Sequence, residues 1–476
     1  MKTLLYSDRP YFLITCSGVI LSIFASLLIA FYGLHFGILV ILICLSLAVA
    51  YVAITNITIG IYLTFILSFF LSFINRVFQL YQYPIGSIFD ILIVLMFFGL
   101  LLKYKSRNIS AFDELRKDSV RLLLIIWVIV NCFQILNPAA PSTQGWFMAV
   151  KSNLYPVMYF FIFYYAITSF KQVKTLIKIW FVIILFAALY SFKQRYIGLA
   201  WYENFVYTNE LMNSLFVTWG RLRVFAFLND PMSYGLVVLN TFLLGFSLLF
   251  TSLTPYKKII LILFLAIILW SLLLTNARTA YFLLPVGLLF FGLITLNWKV
   301  IVVLLFGLTM GVGVILTSWN PEIHVFKTAF MGSDDPSMNV RFQNQKFIRP
   351  YIYKKPLGWG LASTGGFGRI YNAGSMLGSF PPDSEYVRIA IENGWICLLL
   401  WLFIQMRVFW KGFRDFIKAP NADSKIYLAA FLTLFYAYII AQYPQEALRV
   451  PPNGIIFAFV LCMLVKLRDL SPTRVS

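Results

Sequence analysis

Apolar runs of about 17 to 23 residues recur along nearly the whole chain, separated by short polar or basic joints. Runs of that length match a hydrocarbon core of about 30 Å. In the first part of the chain they fall at about Tyr11–Phe31, Ile38–Ile54, Ile57–Ile74, Ile85–Leu102, Leu122–Leu136, Leu154–Ser169 and Leu176–Phe192. In the second part they fall at about Met232–Leu253, Ile259–Leu274, Ala280–Leu296, Val300–Thr317, Tyr386–Phe409, Ile426–Ala441 and Gly454–Val465. The pattern predicts an all-α, polytopic membrane helical bundle of about 12–14 transmembrane helices with both termini on the same side.

One polar stretch, residues 318–393, interrupts the series. It predicts a single long outer loop over 318–385 between two spans. Inside it, Arg341, Gln345 and Arg349 recur at helical spacing, with Val340, Phe347 and Tyr351 on another face. This reads as an amphipathic helix with its arginines turned inward, ending or kinking at Arg349 because Pro350 disfavours helical geometry there. Asp383 is expected to cap the helix that becomes the span Tyr386–Phe409, putting Glu385, Arg388 and Glu392 on its first two turns, where Arg388 can pair with either glutamate. Three regions follow: N-terminal transmembrane helices over 1–197, a core with the loop over 198–410, and a C-terminal transmembrane hairpin over 411–476.

Composition sharpens the class. Of 476 residues, 61% are hydrophobic and 12% charged, with a mean hydropathy of +0.84, far from the roughly one-quarter charged of a soluble domain. The net charge of +20 does not imply nucleic acid. Of 38 Lys and Arg, about 22 lie on the side taken as inner and about 8 in short outer loops. The long loop holds about 7 more, and loops of that length escape the positive-inside rule. Cys16, Cys44, Cys132, Cys397 and Cys462 lie in or beside apolar runs without C-x-x-C spacing, so they read as packing residues. The first apolar run is too long for a cleavable signal and is expected to remain a span. The sequence lacks a phosphate-binding loop, a dinucleotide fingerprint and an internal repeat, and its two histidines, His35 and His324, lie far apart; neither a metal nor a cofactor is expected.

Candidate chemistry is therefore basic and acidic residues at span ends. Arg221 and Arg223 precede Asn229-Asp-Pro231, Arg278 sits in a turn between two spans, and Arg341 and Arg349 lie in the long loop. Alone, each reads as an interfacial anchor. Together they suit an anionic ligand, because guanidinium groups hold phosphate oxygens bidentately and keep their charge. Asp383 and Glu385 are the carboxylates that could act as a base toward a sugar hydroxyl; cap and ion-pair roles remain the alternative.

Several of these segments resemble the O-antigen ligase and polymerase superfamily of membrane glycosyltransferases. The resemblance covers about 215–400 and rests on the arginines before Asn229-Asp-Pro231, Thr275-Asn-Ala-Arg278, Asn339-Val-Arg341 with Lys355-Pro-Leu-Gly-Trp-Gly360, and Asp383-Ser-Glu-Tyr with Glu392-Asn-Gly394. It implies a GT-C-like membrane bundle whose long loop is periplasmic. It further implies an undecaprenyl-diphosphate-linked glycan as donor and a saccharide or lipid A-core acceptor, with metal-independent transfer at the inner membrane. By the same resemblance Arg223, Arg278 and Arg341 contact the diphosphate; Arg221, Arg349 and Arg388 are possible further contacts. Asp383 stands about where ligases carry a loop histidine, which leaves the base, and ligase against polymerase, open. A transporter or flippase of a lipid-linked saccharide is the rival class, sharing the arginines but not needing a carboxylate beside them.

Overall fold

The computed structural model describes residues 49–80, 86–105, 118–218, 220–296 and 336–470, with scattered positions in 22–26 and 298–313. Most of the two earliest runs and most of Val300–Thr317 lie outside the described residues. What is described is a helical bundle with one two-stranded hairpin, Val217–Thr218 paired antiparallel with Arg221–Leu222.

Among the described residues, 8 helices are long and apolar enough to cross a membrane. They form because uninterrupted Leu, Ile, Phe and Val leave backbone groups no partner in lipid except their own helix. Burial sorts them into layers. The helix Pro231–Leu248 has 89% of its residues inside the protein, whereas Pro255–Leu274 has 33%, so the first is central and the second faces lipid. Ala422–Ala441 and Asn453–Leu470 are also mostly buried and pack on the central helix. Helices in lipid gain little from apolar burial and depend on close packing. Gly235 sits where a Cβ would come within 2.6 Å of the Ala277 methyl, and Gly412 where one would come within 2.8 Å of Leu464.

Polar contacts sort the connections to two ends. At one end Lys411 pairs with Asp118 at 3.2 Å, Arg407 bonds Ser119 at 3.0 Å, Ser252 bonds Asp423, and Lys466 donates to the carbonyls of Tyr164 and Ile167. At the other end meet residues 134–142, 193–230, 275–278, 355–394 and 442–453. The basic joints Lys171–Lys174, Lys257–Lys258 and Lys411–Lys425 belong to the first end, and the candidate site residues to the second.

From Pro336 onward the polar interruption is folded. It contains the helix Pro336–Lys354, the short helices Gly365–Tyr371 and Met376–Ser379, and the helix Glu385–Glu392. These share a small core of Ile348, Leu377, Phe380 and Ile391. Three expectations change here. Of the expected end or kink at Arg349, the end is overturned: the helix runs through Pro350 to Lys354; a proline removes one hydrogen bond, and packing of Ile348 and Tyr351 into the small core holds the helix across it. Tyr386–Phe409 is not one span: the chain breaks at Asn393-Gly394, and the membrane helix is Trp395–Ile417. Ser384, not Asp383, is the N-cap, its hydroxyl accepting the Val387 N–H at 3.4 Å, while Asp383 adopts a left-handed φ of 48°.

Candidate active site

Two glycine motifs interlock to build the floor of the site. The amides of Trp359 and Gly360 donate to the carbonyls of Ile391 and Glu392 at 2.8 and 3.0 Å. A Cβ on Gly358 would come within 2.4 Å of the Glu392 oxygen, and one on Gly394 within 2.0 Å of the Pro356 oxygen. Both glycines have positive φ, 79° and 93°, so glycine is required for conformation and for approach. Gln134 ties the lock to the membrane bundle, donating to Leu357 and Asn393 carbonyls at 3.0 and 3.2 Å. Beneath it the buried Asn131 accepts from Asn153 and from Asn393, each at 3.0 Å. Sequence reading missed these amides; polar side chains within apolar runs were the available signal.

On this floor the helix Glu385–Glu392 carries a buried charge cluster. Arg388 donates through Nε to Glu446 at 3.0 Å and through Nη1 to Glu392 at 3.3 Å. Glu392 also accepts from the Thr364 hydroxyl at 3.0 Å. Glu385 pairs with Arg449 at 3.2 Å rather than with Arg388. Of the two glutamates expected to pair with Arg388, Glu392 does so, and the second partner comes from the loop 442–452. Burial pushes the Glu385 carboxyl above the ordinary range, and the facing Arg449 only partly offsets it. Burial would lower Arg388, but Glu392 and Glu446 outweigh it and its pKa rises. Three carboxylates surround two guanidinium groups here, a balance unsuited to a diphosphate, and Arg388 is committed to its own partners.

Glu446 and Arg449 were missed in the sequence, although an acid and a base inside a short turn between two apolar spans marked the place. Their loop is anchored at both ends. The Gln442 carbonyl receives the Ser384 hydroxyl and the Glu385 amide at 3.2 and 3.0 Å, and Asn453 donates to the Ser233 carbonyl at 3.1 Å.

The arginines form a second array. Pro255–Leu274 ends at Thr275, and Asn276 takes a left-handed φ of 50°, a common helix stop. That tight reversal puts Arg278 on the first turn of the next helix. Arg223 bonds the carbonyls of Thr275 at 3.3 Å and Leu215 at 3.0 Å. Burial lowers the Arg223 pKa; Asp230 and Tyr281 act against that, and Arg278 adds repulsion. Arg223, Arg278 and Asp230 thus share a neighbourhood, and Asp230 also caps the central helix by accepting the Ser233 N–H at 2.8 Å. The loop carrying Arg223 is held from below. Arg76 donates to the carbonyls of Ala226 and Leu228, and Gln194 accepts the amides of Phe225 and Ala226 at 3.2 and 2.9 Å.

Arg221 is half-buried in the hairpin beside Arg223. Arg349 is exposed, so that arginine is not turned inward: Ile348 takes the buried side of the turn. Arg341 lies on the Pro336–Lys354 helix, and its side chain is outside the described residues. Asp383 is exposed at the lip of a cleft next to the buried Glu385.

Comparison with known families adds one match: residues 261–402 fit the family described as O-antigen ligase. That segment of the chain is similar to the O-antigen ligase family, which supports the resemblance read from the sequence. The match begins in Pro255–Leu274, takes in Arg278 and both interlocking glycine motifs, and ends in Trp395–Ile417. No curated protein matches the chain. It is a multi-pass membrane protein that carries an O-antigen ligase-like segment.

Proposed function

We propose that this chain transfers a glycan from an undecaprenyl-diphosphate carrier to a saccharide acceptor, lipid A-core or a growing polysaccharide, at the periplasmic face of the inner membrane. The observation that carries the reading is the reversal at Asn276, which brings Arg278 within electrostatic reach of Arg223, at the same end of the bundle as the exposed Asp383 and buried Glu385. A diphosphate relieves the repulsion between the guanidinium groups and takes bidentate hydrogen bonds from them. In this reading Arg341, on the Pro336–Lys354 helix, is the third diphosphate contact.

In the reaction the acceptor hydroxyl loses its proton to a carboxylate as its oxygen bonds to the anomeric carbon. The bond from that carbon to the diphosphate breaks, and undecaprenyl diphosphate leaves with its charge held by the arginines, a preorganised electrostatic stabilisation. Asp383 is the base, because it stands at the open cleft. Glu385, clamped by Arg449, holds the turn that presents it. Guanidinium groups supply the neutralisation, so transfer proceeds without a metal.

The test is purified protein in liposomes with an undecaprenyl-diphosphate-linked repeat unit in EDTA, products read by gel. A ladder without added acceptor identifies a polymerase, and transfer only onto added lipid A-core a ligase. Substrate crossing the bilayer unchanged overturns the reading in favour of a transporter or flippase.

A further inference from the structure

Two polar side chains in the segment before the arginine loop are buried and take no part in the transfer step. Glu203 is 0% exposed and Gln194 1%. Gln194 stands where the helix Phe170–Phe192 widens into a π-helical turn, Lys193–Ile197, a form found mostly at functional sites. Its Nε2 donates to the Glu203 Oε1 at 2.7 Å, and its Oε1 accepts the Phe225 and Ala226 amides. Only this orientation of the side chain serves. Backbone amides can only donate, so the oxygen must face them and the nitrogen must face an acceptor. Glu203 supplies that acceptor. The same carboxylate receives the Tyr190 hydroxyl at 3.1 Å and, through Oε2, the Ala200 amide at 2.9 Å. Ala226, gripped by Gln194, has a φ of 46°, a left-handed conformation that a non-glycine residue keeps when its surroundings enforce it. Its carbonyl is gripped in turn by Arg76 at 2.8 Å. The peptide groups on both sides of Ala226 are therefore held, three residues after Arg223.

We propose that Glu203 is a positioning residue for the diphosphate array, acting on Arg223 through Gln194. The proposal rests on the diphosphate reading above for its consequence, and on the hydrogen bonds for its mechanism. The carboxylate fixes which end of the Gln194 amide faces the loop. Gln194 then keeps Ala226 in its strained turn, and that turn sets the direction in which the chain leaves Arg223. On the other side the Arg223 amide donates to the Phe216 carbonyl at 2.8 Å, and the Val224 amide to the Leu274 carbonyl at 3.2 Å. Leu274 ends the helix that leads through Asn276 to Arg278. Arg223 is thus aligned on Arg278 from two directions, by that helix end and by the Glu203 relay. An amide cannot replace the carboxylate. In Glu203→Gln one of the two positions facing Gln194 and Ala200 becomes an NH2, so a donor meets a donor whichever way the amide turns. Swapping the pair, Gln194→Glu with Glu203→Gln, restores the match: the carboxylate accepts the loop amides and the NH2 behind it, and the remaining amide oxygen accepts Ala200.

The test reads the loop and the ligand separately, on full-length protein in nanodiscs. Hydrogen–deuterium exchange reads the amides of 223–228, and farnesyl diphosphate, titrated by microscale thermophoresis, reads the array. Glu203→Gln is expected to speed exchange across 223–228 about tenfold, with the helix Pro231–Leu248 unchanged, and to raise the dissociation constant about tenfold. The swapped pair is expected to return both to within about twofold of wild type. In an Arg223→Ala background, Glu203→Gln is expected to cost no further affinity, because its effect passes through Arg223; a merely structural role adds its loss there as well. Wild-type loop exchange in Glu203→Gln, or additive losses of affinity, overturns the relay. If the single variant does not fold, the swapped pair decides: loop exchange within about twofold of wild type supports the relay, and a larger rise, or a swapped pair that does not fold either, overturns it. Wild type that binds no farnesyl diphosphate, with loop exchange still governed by Glu203, overturns the diphosphate reading and not the relay.

Discussion

Arg449 donates through Nε to Glu385 at 3.2 Å, with both side chains no more than 10% exposed. Its guanidinium also reaches Glu392 and Glu446 at 4.0 and 3.9 Å, so one residue of the last outer turn serves three carboxylates. Removing it strands buried negative charge, which typically costs about 3–5 kcal/mol. Arg449→Ala is expected to melt well below wild type in detergent. Arg449→Lys is expected to recover part of the loss, since one ammonium cannot span three acceptors. An alanine variant that melts with wild type would falsify the clamp.

Glu385 predicts a pH effect of definite sign. Its folded-state pKa is raised by burial above the ordinary glutamate value of 4.5. A carboxyl raised on folding contributes stability that is full below 4.5 and is lost as pH climbs through the raised value. Glu385→Gln mimics the protonated form. Its melting temperature is expected to exceed wild type at pH 8, with the gap closing as pH falls toward 4.5. A gap independent of pH, or of opposite sign, contradicts the assignment.

The interlocking glycines separate steric need from mere flexibility. Gly394→Ala and Gly358→Ala each place a methyl into a carbonyl or amide at 2.0–2.5 Å, at left-handed φ. The conformation alone costs about 1–2 kcal/mol. Both variants should lose yield of monodisperse protein. Gly366→Ala, which meets nothing within 4 Å, should behave as wild type by size-exclusion chromatography.

Arg278→Ala and Arg341→Ala test the diphosphate array. Loss of one such stabilising donor commonly lowers the rate by about 10²–10³-fold. Both variants are expected to keep the wild-type melting temperature and lose transfer to that extent in the liposome assay. Full transfer by either removes that residue from the proposed mechanism.

Much of the fold was legible because lipid enforces simple rules. Runs such as Ile57–Ile74 and Ile259–Leu274 sit inside the observed helices Ile57–Val77 and Pro255–Leu274, and the basic joints gather at the end opposite the site. The errors lie where tertiary contact overrides local pattern. Hydropathy carries Tyr386–Phe409 as one run, and only the Pro356 carbonyl against Gly394 explains the break. Asp383 and Ser384 are both good capping residues, and the Gln442 carbonyl, which receives the Ser384 hydroxyl, selects the serine. Arg223 and Arg278 were identified as candidates separately, and the turn at Asn276 shows how they come together. Glu446 and Arg449 went unnoticed because a pairing between distant segments leaves no periodic trace.

The loop 442–452 changes what counts as a module. Residues 261–402 carry the family signature, yet Glu385 and Arg388 within them are neutralised from outside, by Arg449 and Glu446, and their glycine lock is pinned by Gln134. A graft of the matched segment into another membrane protein would import unpaired buried charges. Swaps between relatives should therefore keep the terminal hairpin and the 134–137 turn with the segment, as one inheritance unit.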